Sequence, residues 1–137
     1  MKTITTLSLV VLLGTSAAYA QQVSASRTEL MNAVPQTSRT VTDWYKQNVY
    51  DQSDNKIGDI KDVLIDNGQA NTAIIGVGGF LGAGEKDVAV KFDSIKPTMK
   101  DNKPYLTLDT NKDALKSAPG FKYDSNKTTW VPDNSSK

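Results

Sequence analysis

Cysteine and histidine are both absent from the 137 residues of this chain. Without cysteine no disulfide is available, so a hydrophobic core alone must hold the fold. Without histidine there is no His-based triad, no His-rich zinc site and no side chain whose ordinary pKa lies near neutrality. Charge of one sign is lacking too, with 16 Lys and Arg against 15 Asp and Glu. These charges are interspersed, whereas nucleic-acid binding needs a basic patch and an electrostatic membrane anchor needs a basic cluster. Both classes are disfavoured. A membrane span is also missing, since the apolar stretch Leu7 to Leu13 falls well short of the roughly 20 residues that cross a bilayer.

The amino-terminal segment reads as a secretory signal. Lys2 precedes the apolar stretch, and Ala18-Tyr19-Ala20 is a small-x-small cleavage site before polar Gln21-Gln22. Cleavage after Ala20 would send the protein to the periplasm or outside the cell. The remaining roughly 117 residues suffice for one domain. Residues 21–40 are rich in Ser, Thr, Gln and Asn and bury too little to order themselves, so they read as a flexible linker.

The globular part begins near Val41. Asn48 to Tyr50 is a first short strand, and Asp51 to Asn55 is a turn of residues whose side chains bond nearby backbone. Lys56 to Asp66 mixes helical spacing with β-branched residues and a glycine. Asn67-Gly68 follows directly and favours a tight hairpin, so the segment reads as a bent strand with a bulge near Gly58-Asp59. Asn71 to Val77 pairs back. Lys86 to Asp93, with Val88, Val90 and Phe92 on one face, is the clearest strand, and Lys96-Pro97 ends it. Pro104 to Asp109 reads as a fifth, edge strand, where proline at the start is tolerated. A short helix follows, capped by Thr110 with Asp113 three residues on and stopped by Pro119-Gly120. Residues 122–137 read as a polar tail. The domain is then 41–121: mainly β, a small five-to-six-stranded barrel with one carboxy-terminal helix.

The segments Val49-Tyr50, Ile57-Gly58-Asp59-Ile60, Asp62 to Asp66 and, above all, Gly76 to Phe92 (GVGGFLGAGEKDVAVKF) resemble the PRC-barrel family. The similarity covers about Asn48 to Ile95, and Ala114 to Phe121 (ALKSAPGF) resembles the end of exported bacterial members. The resemblance implies a small β-barrel that acts as a protein-binding or assembly module without a shared catalytic set. Members occur in the H subunit of photosynthetic reaction centres and in a ribosome-maturation factor. Neither of those specific roles transfers, because the membrane span of the first and the extra domain of the second are not found here.

The motifs weigh against chemistry. The glycines from Gly76 to Gly84 precede Glu85 and a strand, whereas a phosphate loop needs Gly-Lys-Ser/Thr opening a helix. They read as a wide hairpin loop carrying Phe80-Leu81. Asp51, Ser53 and Asn55 resemble the start of a calcium loop, but Lys56 and Asp62 stand where that loop needs Gly and Glu. Asp59, Asp62, Asp66, Glu85, Asp87 and Asp93 read as solvated turn and strand carboxylates. Trp44, Tyr45, Tyr50, Phe92, Tyr105 and Phe121 read as core or barrel-end packing.

The expected function is a non-enzymatic extracytoplasmic β-barrel that binds a protein partner of the cell envelope and could self-associate, with no cofactor, metal or nucleic acid. Phe80, Leu81, Gly82, Glu85 and Lys86 form the candidate interaction loop, and the Pro104 to Asp109 edge is the expected docking strand. A small-ligand or ion-binding envelope barrel is the alternative. A hydrolase using paired carboxylates is the third reading.

Overall fold

In the computed structural model, residues 28–78 and 84–135 are described. The expected signal peptide, the expected linker up to residue 27, and Phe80, Leu81 and Gly82 of the candidate loop lie outside the described residues. Residues 35–137 make one compact unit.

The chain opens with a one-turn helix, α1 (Val41–Trp44), whose Thr40 side chain accepts from the Asp43 amide at 3.0 Å. β1 (Asn48–Tyr50) and β2 (Lys56–Asp66) follow where β-branched and apolar residues predict them. β3 (Gln69–Val77) returns through a turn in which Asn67 and Gly68 have φ of 50° and 77°, the paired positive values of the tightest hairpin connection. The bulge expected near Gly58-Asp59 is matched by register slips on either side of it. The register of β2 slips by one residue against β1 between its partners Gly58 and Lys56, and against β3 between Ile60 and Asp62. β4 (Lys86–Lys91) pairs antiparallel with β3.

From there the structure departs from the expectation. Phe92 does not continue β4 but opens a 3-10 turn (Phe92–Ser94) and stacks on Trp44, with ring centres 4.5 Å apart. Lys96-Pro97 does not end the strands. It opens β5 (Lys96–Lys100), which is exposed along its whole length and lies at a sheet edge, where a missing N–H costs no ladder bond. β6 (Lys103–Thr107) is therefore interior, between β5 and β1, and the expected edge at Pro104 to Asp109 is corrected. Its parallel pairing with β1 begins only at Leu106, so Pro104 still meets no demand for an N–H on that side. α2 (Lys112–Ser117) is capped by Asn111, whose side chain accepts from the Ala114 amide at 2.8 Å. Thr110, the expected cap, instead donates its backbone N–H to the Leu108 carbonyl at 2.9 Å.

The tail is not without structure. Residues Phe121–Asp124 (β7) and Thr129–Pro132 (β8) form a hairpin, with Tyr123 opposite Trp130. The sheet thus has eight strands in the order β5-β6-β1-β2-β3-β4-β7-β8, more than the five or six expected. That order has two ends, so among the described residues the ladder is open rather than a closed ring.

One face of the sheet carries the core. Val49, Ile57, Ile60, Ala73, Ile75, Val77, Val88 and Leu106 are buried there, with Trp44, Ile95, Leu108 and Leu115 packed against them. Ile74 is equally buried but lies outside that cluster. Side chains alternate along a strand, so Ile74 and Gly76 point to the other face. There the Trp130 indole N–H donates to the Asp62 carboxylate at 2.7 Å, and Asp62 is the register partner of Ile74. The β7–β8 hairpin is therefore tied to this row, on the face to which Ile74 points.

Candidate functional site

The loop expected to carry interaction springs from a fixed stem. Val77 pairs with Lys86, so residues 78–85 form the connection. Both described members of the candidate loop's descending side are anchored. The Glu85 carboxylate meets the Lys61 ammonium at 2.6 Å. Lys86 Nζ donates to the Lys116 carbonyl at 2.8 Å, one of the carbonyls left open at the end of α2. A short cation contact at that helix end is also favoured by the helix dipole.

The second face of the sheet is charged beside this stem. Asp59, Gly76 and Asp87 form one row across β2, β3 and β4. Lys61 lies 3.6 Å from Asp59 and bridges to Glu85 above Gly76. A methyl group on Gly76 would come within 2.4 Å of Lys61 Cε and 2.7 Å of Glu85 Oε1, so the bridge needs glycine beneath it. The bond to Glu85 holds the Lys61 pKa above its ordinary value, against a smaller opposing effect of burial. Burial pushes the Asp87 carboxyl up, and the charges of Glu85 and Asp59 add to this while Lys61 opposes it. Asp87 Oδ1 is buried and meets no hydrogen-bond donor of the described residues.

Three of the six carboxylates that read as solvated turn and strand positions are therefore brought together: Asp59, Glu85 and Asp87, around Lys61. Asp62 bonds Trp130, Asp66 accepts from Asn67 and Asn71 at the hairpin tip, and Asp93 stands in the 3-10 turn. Asp51 accepts from the amides of Ser53 and Asn55 at 2.8 and 2.9 Å and from the Asn55 side chain, which lowers its pKa and makes this segment a side-chain-locked turn. Tyr45 is half exposed rather than packed in the core. Sequence reasoning does not single out Lys61. The signal was there, since Asp59 and Lys61 on β2 face Glu85 and Asp87 beside β4, each pair at the two-residue period of a strand face.

Eight short strands, a core on one face and a glycine-rich loop on a rigid stem define a small β module. The sequence profile of the PRC-barrel domain matches residues 37–115. The chain belongs to that family. The match ends before β7, so the hairpin that bonds Asp62 lies beyond it. Comparison with curated proteins gives no match.

Proposed function

We propose that the protein is a non-catalytic, extracytoplasmic interaction module that binds a protein partner of the cell envelope through the loop at residues 78–85. The observation that carries this reading is the stem. Lys86 is paired to Val77 and bonded to α2, and Glu85 is bonded to Lys61, so the connection is held at its base by three elements. Binding residues favour loops positioned by a rigid scaffold. Phe80 and Leu81 fall inside this connection, between glycines. The loop supplies an apolar contact, and the charged row of Asp59, Lys61, Glu85 and Asp87 supplies a polar rim that selects the partner. With β6 in the sheet interior, docking rests on the loop and not on that strand.

A Phe80→Asp variant tests the reading. It keeps the wild-type melting temperature and loses the crosslinked product that the exported wild type forms with its partner in the envelope. An unchanged crosslinking pattern overturns the loop as the binding element. Export itself is checked by amino-terminal sequencing, with Gln21 as the expected first residue and Met1 in the isolated protein as the refuting result.

A further inference from the structure

A groove of about 410 Å³ opens between the turn after β1 and the β5–β6 hairpin. Its rings are Tyr50 and Tyr105, stacked with centres 4.5 Å apart and planes 18° from parallel. The Tyr105 hydroxyl donates to the Asp54 carboxylate, and Lys100 Nζ sits 4.8 Å from the Tyr105 ring centre and 3.7 Å from that carboxylate. The bond to Asp54 keeps the phenol protonated, its pKa pushed up to about 12. Asn48 donates to the Tyr50 hydroxyl at 3.3 Å, and Lys103 and Asp101 line the same groove.

The walls are fixed by two turns. Asp54 has a φ of 62° within the turn locked by Asp51. Asp101 and Asn102 at the β5–β6 tip have φ of 51° and 59°. Left-handed backbone at non-glycine residues is uncommon and persists where surrounding bonds hold it. The groove is therefore built before any ligand arrives, and its volume falls within the roughly 300–1,000 Å³ of small-molecule sites.

We propose that this groove binds a saccharide, a neutral ring bearing several hydroxyl groups. The lining carries two lysines and two aspartates, so it offers no net field to an ion. A phosphate would meet Asp54 and Asp101 as well as the lysines. A wholly apolar ligand would strip water from four charged groups and return no hydrogen bonds. A sugar hydroxyl both donates and accepts, which suits carboxylates, ammonium groups and the Asn48 amide side by side. The C–H face of the sugar packs against Tyr50 and the ring edge of Tyr105, whose two faces are taken by Tyr50 and Lys100. This inference stands apart from the loop and does not need it.

The test is titration of the full ¹⁵N-labelled chain with maltose, cellobiose and diacetylchitobiose, and with inorganic phosphate in a separate arm. At least one disaccharide is expected to shift the amides of Asn48, Asp54, Lys103 and Tyr105 in a saturable way. Asn48→Ala and Lys103→Ala, both at exposed positions, are expected to keep the melting temperature and weaken binding roughly tenfold, about 1.4 kcal/mol. The proposal is overturned if none of the three saturates by about 10 mM, a weak-site limit. Shifts that lie away from the groove, phosphate moving these amides when sugars do not, or both variants binding like the wild type overturn it equally.

Discussion

Asp87 is the residue whose removal should help the fold. Its Oδ1 is buried without a donor among the described residues, and Lys61, whose charge acts in its favour, is engaged by Glu85 at 2.6 Å. Burial and the charges of Glu85 and Asp59 hold its folded pKa above the ordinary 3.8. An acid whose pKa is raised by folding binds more protons in the native state than in the unfolded one. Stability from this group is therefore full below the unfolded pKa and is lost as pH rises through the folded value. At neutral pH the wild type carries the cost. An amide in its place would still leave a polar atom unpaired, so the gain is that of the charge alone, its desolvation and its repulsion by Glu85 and Asp59, which solvent screening at this partly exposed position holds to about 1 kcal/mol. In a unit of residues 35–137 that corresponds to roughly 4–8 °C in melting temperature. Asp87→Asn keeps the shape and removes the charge. Thermal melts by circular dichroism, stepped from pH 7.5 down into the acid range, should show the variant more stable at neutral pH, with the gain shrinking as the wild-type carboxyl takes up its proton. A variant less stable at pH 7, or a gain of the same size at every pH, refutes the reasoning.

The Trp130 bond to Asp62 gives a second prediction. Trp130→Phe should lower stability by about 1–2 kcal/mol, since it strips a donor from a half-buried carboxylate, and the loss should largely vanish in an Asp62→Ala background. A loss that is unchanged in that background would mean that ring packing alone holds the hairpin. At Gly58 an added methyl would stand 2.5 Å from the Gly76 carbonyl oxygen and 2.6 Å from Ile75 Cγ2. Backbone cannot swing aside as a side chain can, so Gly58→Ala should cost about 1–3 kcal/mol in a urea titration. A wild-type midpoint would show that β2 and β3 are not held at that spacing.

The parts of the fold that were legible in the sequence are those with strong local signals. Asn67-Gly68, with two positive φ values, fixes the β2–β3 hairpin almost regardless of context. The alternation of Val88 and Val90 marks β4, and the Asp51 turn is set by its own side chain. The misreadings of β5 and β6 share one cause, which is that proline alone marks a stop or an edge only where position in the sheet agrees. Pro97 and Pro104 are tolerated because β5 is an edge and because β1 does not pair with β6 before Leu106. At α2, Asn111 is as good a cap as Thr110, and the backbone turn at Leu108 engages Thr110 first. Of the candidate site, Glu85 and Lys86 were legible as flanks of the loop. Their anchors were not, because Lys61 and Lys116 lie far along the chain and only the register of β2, β3 and β4 brings the first of them to Glu85.

The hairpin at β7 and β8 follows from a signal in another strand. Residues 73–77 of β3 read Ala-Ile-Ile-Gly-Val, all five buried. A strand with one wet face alternates, whereas a continuous apolar run means that both faces are covered. Ala73, Ile75 and Val77 face the core, so Ile74 demands a second cover. Within a single domain that cover must come from residues outside the sheet's central strands. The carboxy-terminal segment reaches this face through one tryptophan, whose N–H donates to Asp62 in the same row. Residues 121–132, beyond the family match, are thus part of the folding unit: a chain cut after Gly120 should uncover the face of Ile74 and leave Asp62 with only its bond from the Val63 amide. Burying one isoleucine side chain contributes about 1.5–3 kcal/mol. The shortened chain should therefore melt well below the full one, and should bind a dye specific for exposed apolar surface.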